Sequence, residues 1–145
     1  GVTVIDGGTT GMGLYDPIRN CDQLIVADAI NTGDAYGTLV RIANDDIPAF
    51  FQTKLSNHQL GLSDLLALLT LKAEVPRHVA IIGMVPHSLE NKLGLTNEAA
   101  AGLDAMVKRL VDELADLGVQ LEERSEQLIG HWRREAELEA QGLCA

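Results

Sequence analysis

The hydrophobic positions of this chain change period several times, and each change marks an element. Val2–Asp6 is a short β-branched run that closes on Asp-Gly-Gly and reads as a strand. Gly7, Gly8, Gly11 and Gly13 mark a loop leading into a helical stretch around Met12–Asn20, which Pro17 keeps short. Leu24–Ile30 is apolar throughout except at Asp28, the pattern of a strand buried on both faces. Asn31–Gly37 is a loop. Gly37–Ala43 reads as the next strand, and its alternation (Leu39 and Arg41 against Val40 and Ile42) predicts a more exposed, edge-like position.

The segment "LSNHQLGLSDLLALLTLK" carries the first strong helical period. Ser56 with Gln59 three residues later is a capping-box signal, and Leu62, Leu65, Leu66 and Leu69 then fall at helical spacing. The helix is therefore expected to start near Ser56, with His58 in its first turn. His78–Val85 is another buried strand, ended by Pro86. Thr96 or Asn97 caps a long amphipathic helix whose stripe is Leu103, Met106, Val107, Leu110, Val111, Leu114 and Leu117, with Gly118 as its stop. From Gln120 to Ala145 the chain is charged, with a sparse apolar set of Leu121, Leu128, Ile129, Trp132 and Leu138, and reads as a frayed or independent helix. The expected organisation is an α/β domain over residues 1–118 and a charged tail over 119–145. Strands alternating with helices argue for a mainly parallel sheet.

Composition narrows the functional classes. The 145 residues suit one domain able to bury a core without staples. A formal net charge of −10 argues against nucleic-acid or anionic-membrane binding. No apolar run approaches the length of a membrane span, and no signal peptide is evident. Two cysteines, Cys21 and Cys144, make no CxxC pair and fit a reducing, cytoplasmic setting. The chain opens at Gly1 without methionine, as expected of a fragment or a processed product.

In a parallel sheet, ligands sit at the carboxyl ends of the strands. Asp6 ends the first predicted strand, Asp28 lies near the end of the second, and His58 opens a helix that can start on the same edge. A helix N-terminus disfavours the imidazolium, and the neutral ring is the form that binds metal. Two carboxylates and a neutral imidazole suit nickel or zinc. The plainer readings are that Asp6 caps a turn, that Asp28 is satisfied by backbone amides and that His58 is a solvated first-turn residue. On local grounds the plain reading is favoured for Asp6. "GGTTGMG" lacks the Lys-Ser/Thr of a P-loop and does not match G-x-G-x-x-G, so a phosphate- or nucleotide-binding reading rests on little. Cys21 and His78 fall at amino edges and read as structural. His87, after Pro86, is an auxiliary candidate. Ser56 is explained as a cap, and His131 and Trp132 as tail surface.

Four motifs in one order, "DGGTTGM", "LIVADAI", "LSNHQLGLSDLL" and "IIGMVPHSLENKLGLT", resemble the nickel-iron hydrogenase maturation endopeptidases from about Gly1 to Gly118. The resemblance implies a three-layer α/β sandwich around a twisted sheet. It implies a peptidase that removes a C-terminal extension from the hydrogenase large-subunit precursor after nickel insertion, acting as a cytoplasmic monomer. It further implies that Asp28 and His58 bind the substrate's nickel, together with an acid from an earlier helix, and that Asp6 lies near the site and serves substrate recognition. Asp6, Asp28 and His58 are thus the expected catalytic set, with a metallo-type or an aspartic-type label left open. The family starts with one further βα unit, roughly 30 residues, whose strand lies between those corresponding to Val2–Asp6 and Leu24–Ile30. This chain is accordingly expected to be N-terminally truncated, with one ligand missing and doubtful activity alone. The alternative is a non-catalytic module that docks the immature subunit and senses its nickel.

Overall fold

The structure is a computed structural model. It describes the chain except residues 9–10, 20, 54–56, 91, 127–128 and 143–145, and except the side chains of 53, 57–60, 131–132, 136 and 139. The chain forms two compact units, Gly1–Val85 and Pro86–Ala145.

The first unit is built on β3 (His78–Met84), a seven-residue run that is buried almost throughout. On one side β3 pairs in parallel with β1 (Gln23–Ala29), Asp28 lying opposite Gly83. On the other it pairs antiparallel with β2 (Leu39–Ala43), Val40 lying opposite Gly83 and Ile42 opposite Ile81. The sheet order is β1-β3-β2, so the fold is α/β with a mixed sheet. The expected edge position of β2 holds, and its direction is the departure from a mainly parallel sheet. The loop between β1 and β2 is tied to the end of β3: Gly37 N–H donates to the Val85 carbonyl and Val85 N–H to that of Thr38.

Strand alternation puts Leu24, Val26, Asp28 and Ile30 on one sheet face with Val79, Ile81 and Gly83, and with Val40 and Ile42. That face makes the core. Ile30, Val79 and Ile81 are buried with Ile18, Ile47, Phe51, Leu65, Leu66 and Leu69, and Leu14, Tyr15, Cys21, Phe50 and Leu62 pack around them. Three helices supply the cover. A 3-10 turn (Gly11–Leu14) runs into α1 (Tyr15–Ile18), where Pro17 is tolerated because the first turn needs no donor from it. α3 (Asn57–Leu71) buries Leu65, Leu66 and Leu69 at the spacing read from the sequence. Its predicted capping box, Ser56 with Gln59, lies outside the described residues. Tyr15 Oη donates to Glu74 Oε2 at 2.5 Å and so ties α1 to the chain just beyond α3.

α2 (Asp46–Thr53) adds an element that the sequence reading leaves unassigned. Its signal is local: Asp46 in the first turn, with Pro48 two residues on. Asn44 makes the turn into it with a left-handed backbone (φ 47). Its Oδ1 accepts from Val79 N–H at 3.0 Å, and its own N–H donates to the Val79 carbonyl at 2.9 Å. One residue therefore stitches the end of β2 to the start of β3.

Two strand expectations need correction. Val2–Asp6 forms no strand, and Val2, Val4 and Ile5 are exposed. β propensity is only a fit to a half-buried pleated surface, and no described strand pairs with this run. β1 is half-buried, with Gln23, Ala27 and Ala29 exposed. It is an edge strand of the described sheet, not one covered on both faces.

In the second unit α4 (Asn97–Asp116) begins and ends as its sequence dictates. Thr96 Oγ1 accepts from Ala99 N–H at 3.1 Å, the N-cap bond. Gly118 (φ 81) closes a Schellman turn in which its N–H donates to Ala115 and the N–H of Val119 to Leu114. The expected stripe splits. Leu103, Val107 and Val111 form an exposed row, while Met106, Leu110, Leu114 and Leu117 are half-buried. Glu98 in the first turn pairs with His87 at 3.9 Å. Its own backbone N–H, and then His87, hold its carboxyl below the ordinary range. The tail contains α5 (His131–Ala140).

Gly83 gives a direct test of this packing. A Cβ there would stand 2.3 Å from Ile30 Cδ1 and 2.9 Å from Ile30 Cβ, so rotation of the isoleucine alone does not clear it. Gly83→Ala is expected to destabilise the chain by about 1–3 kcal/mol in urea unfolding, the usual cost of overpacking.

Candidate functional site

Asp28 is a core position occupied by an acid. By alternation it belongs to the row Leu24, Val26, Ile30, yet it sits one residue from the carboxyl end of β1 and is half-exposed. Its neighbour across the ladder, Gly83, has no side chain to crowd it. Asp28 borders a shallow surface hollow, too tight to admit a water molecule, with Ile30, Phe50, Phe51, Leu62 and Ile81. One carboxylate oxygen, Oδ1, accepts from Ala29 N–H at 2.7 Å. The backbone-satisfied reading of Asp28 is therefore correct as far as it goes. That bond uses one oxygen of a group that has several acceptor sites.

His58 lies in the first turn of α3, as expected, and its side chain is outside the described residues. The helix that carries it does approach Asp28: Leu62, four residues further on, lines the same hollow. Asp6 corrects one premise. It ends no strand, and it is exposed in the loop before Gly8, where Oδ1 accepts from Gly8 N–H at 3.0 Å. This is the turn-capping role favoured on local grounds. Further along the chain, Gly11 of the 3-10 turn packs directly on Gly61. The elements bearing Asp28 and His58 thus meet at the first half of α3. Among the described residues no three His, Cys, Asp or Glu side chains group as a metal site. The one described donor in the core row, Asp28, is a hard oxygen ligand suited to a divalent ion completed by other donors.

Cys21, His78 and His87 are engaged away from Asp28. Cys21 precedes β1 at the amino edge, half-buried against the core. At about 3.3 Å per residue it stands roughly 20 Å along the strand from Asp28. Burial pushes its thiol above the ordinary range, the opposite of an activated nucleophile. His78, at the amino end of β3, is within 3.4 Å of the Asn44 amide and belongs to the β2–β3 stitch. His87 pairs with Glu98 on α4. Ser56, Cys144 and the side chains of His131 and Trp132 are outside the described residues. Two features escaped the sequence reading: the seat that Gly83 provides for the Ile30 side chain beside Asp28, and the phenylalanines of α2 at the hollow. The signals for the latter were the Asp46/Pro48 start and Ile47, Phe50 and Phe51 at helical spacing.

These features describe an α/β domain with an acid at the carboxyl end of a parallel strand, and its solved counterparts are endopeptidases. The "hydrogenase maturating endopeptidase HybD" of Escherichia coli superposes with a TM-score of 0.76 at 38% identity, over 82% of this chain and 74% of that one. A family model described as hydrogenase maturation protease matches residues 1–113. The "Hydrogenase 2 maturation protease" of Escherichia coli K12 is 38% identical over 120 residues, 82% of this chain and 73% of that protein. The "Hydrogenase expression/formation protein HoxM" of Azotobacter vinelandii is also 38% identical, over 121 residues, but only 58% of its length is spanned. The chain belongs to the hydrogenase maturation protease family, a family of peptidases.

The Cys21 assignment is checked by alkylation. In a Cys144→Ser background, iodoacetamide should label Cys21 more slowly than a free thiol at neutral pH. The rate should rise only above the ordinary thiol range, and denaturant should abolish the difference.

Proposed function

We propose that the chain is an endopeptidase that removes the C-terminal extension of a nickel-iron hydrogenase large-subunit precursor, using the precursor's own nickel as the recognition element. The observation that carries this reading is Asp28, an acid in a core row at the carboxyl end of a parallel strand, in a chain of this family. A carboxylate there lacks a packing role that a leucine or valine would not fill better.

In this reading Asp28 and His58 take up open positions on the nickel of the substrate. Cleavage then depends on nickel loading, because only a loaded precursor offers those positions. The scissile peptide is held beside the ion, and holding is itself a large part of the barrier reduction. Hydrolysis uses water: a carboxylate accepts its proton, the oxygen attacks the carbonyl, and the proton passes to the leaving amine. Asp6, on the loop ahead of the 3-10 turn, faces the peptide that flanks the cut and serves recognition. The half-buried thiol of Cys21 takes no part.

The alternative, docking without cutting, predicts a different outcome on one gel. Nickel-loaded precursor incubated with the chain should shift to the mature mobility. Binding with no shift would make the chain a docking module, and neither binding nor shift would end the proposal. Asp28→Asn keeps an oxygen to accept from Ala29 N–H and should leave unfolding nearly unchanged. It should still reduce processing by more than about 100-fold, beyond the 10- to 100-fold typical of an outer-shell partner. His58→Ala should do the same. Normal processing by either variant would remove that residue from the site.

A further inference from the structure

The chain is poor in aromatic residues, with one tryptophan, two tyrosines and two phenylalanines. Tyr15, Phe50 and Phe51 pack in or around the core. Tyr36 does not: at 69% exposure it is the outlier among the described aromatic side chains.

Tyr36 stands on a fixed turn. Thr38 N–H donates to the Ala35 carbonyl at 3.1 Å, and Thr38 Oγ1 donates to the same oxygen at 2.6 Å. Gly37, at φ 81, supplies the left-handed third residue that a type II turn requires. The turn is moored to the end of β3, since Gly37 N–H donates to the Val85 carbonyl at 2.8 Å and Val85 N–H to that of Thr38 at 2.9 Å. Tyr36 holds the second position, where proline is common and the turn makes no use of a side chain. Neither the turn nor the core asks for a tyrosine there.

The turn lies at the same rim of the sheet as Asp28. Asp28 is opposite Gly83, and the turn is bonded to β3 two residues further on, at Val85. With strands about 4.8 Å apart and about 3.3 Å per residue along them, the Cα of Tyr36 stands roughly 10–15 Å from that of Asp28. An extended peptide covers that distance in about three to five residues. A ring has only two side-chain torsions to freeze and offers a large contact area, and such residues anchor protein interfaces. Here the backbone beneath the ring is already ordered, so little further ordering is needed on binding.

We infer that Tyr36 is a substrate-docking residue, its ring resting on the precursor peptide about three to five residues from the part held at Asp28. It governs binding of the precursor more than the cleavage step. This inference rests on the peptidase function proposed above and deepens it.

The test is steady-state cleavage of nickel-loaded precursor by the full chain and its variants, with urea unfolding of each. Tyr36→Ala should raise KM roughly 5- to 30-fold, the scale of truncating an anchoring aromatic. Its kcat and its unfolding midpoint should stay at the parent's values, the pattern of lost binding and intact chemistry. Tyr36→Phe should bring KM back to within about twofold of the parent, because the ring carries the contact. Leu71→Ala removes another exposed apolar side chain, 85% exposed at the last residue of α3, and should leave KM unchanged. A rise in KM with kcat preserved, reversed by phenylalanine, supports the inference. An unchanged KM in Tyr36→Ala, a fall in kcat alone, no recovery in Tyr36→Phe, or an equal effect from Leu71→Ala overturns it. A lowered unfolding midpoint in Tyr36→Ala also overturns it, by assigning the ring to folding. A parent chain that neither binds nor cuts the precursor sinks the proposed function and this inference together. A parent that cuts, with Tyr36→Ala at the same KM, sinks this inference alone.

Discussion

The first unit depends on β3 having partners on both edges and apolar neighbours around it. Seven residues from His78 to Met84 carry the parallel ladder to β1, the antiparallel ladder to β2 and the buried side chains of the core. Backbone groups buried this deeply have to be paired, and only a strand between two others meets that demand along its whole length. Once β3 is set, register decides the rest. It places Gly83 beside Asp28, and Ile81 beneath the two phenylalanines and Leu62.

That register explains how an acid is tolerated in a core row. The row ends at the sheet's rim, where Asp28 is half-exposed and bonds the next backbone amide. One position earlier on that face, at Val26, the same carboxylate would be desolvated among apolar side chains and would cost several kcal/mol unless paired. Apolar neighbours behind the acid and the bond to Ala29 N–H fix its direction while its other oxygen faces the rim.

Much of this was legible in the chain alone. The continuous run at His78–Val85, the leucine spacing of α3, the Thr96 cap and the Gly118 stop all resolved as read, because each is decided within a few residues. What failed was non-local. Val2–Asp6 has strand composition, but strand formation needs a neighbour that composition does not supply. α2 is short, and its helical period rests on only three apolar positions, Ile47, Phe50 and Phe51, beside the Asp46/Pro48 start. Asp28 stood out as a break in an apolar run. The seat of Gly11 on Gly61 did not, since a close approach between two glycines fifty residues apart leaves no local trace.

Asn44 carries a consequence for how this sequence can drift. Its backbone conformation favours glycine, whereas its side chain is needed to accept from Val79 N–H. Glycine would satisfy the first requirement and forfeit the second. Most other side chains fail both, and asparagine is the residue that tolerates the left-handed region while offering a short amide oxygen. The hinge between the sheet's edge and the helix behind it is therefore a narrow passage in sequence space. Replacements there are tolerated only when other contacts take over the joining of those two strands.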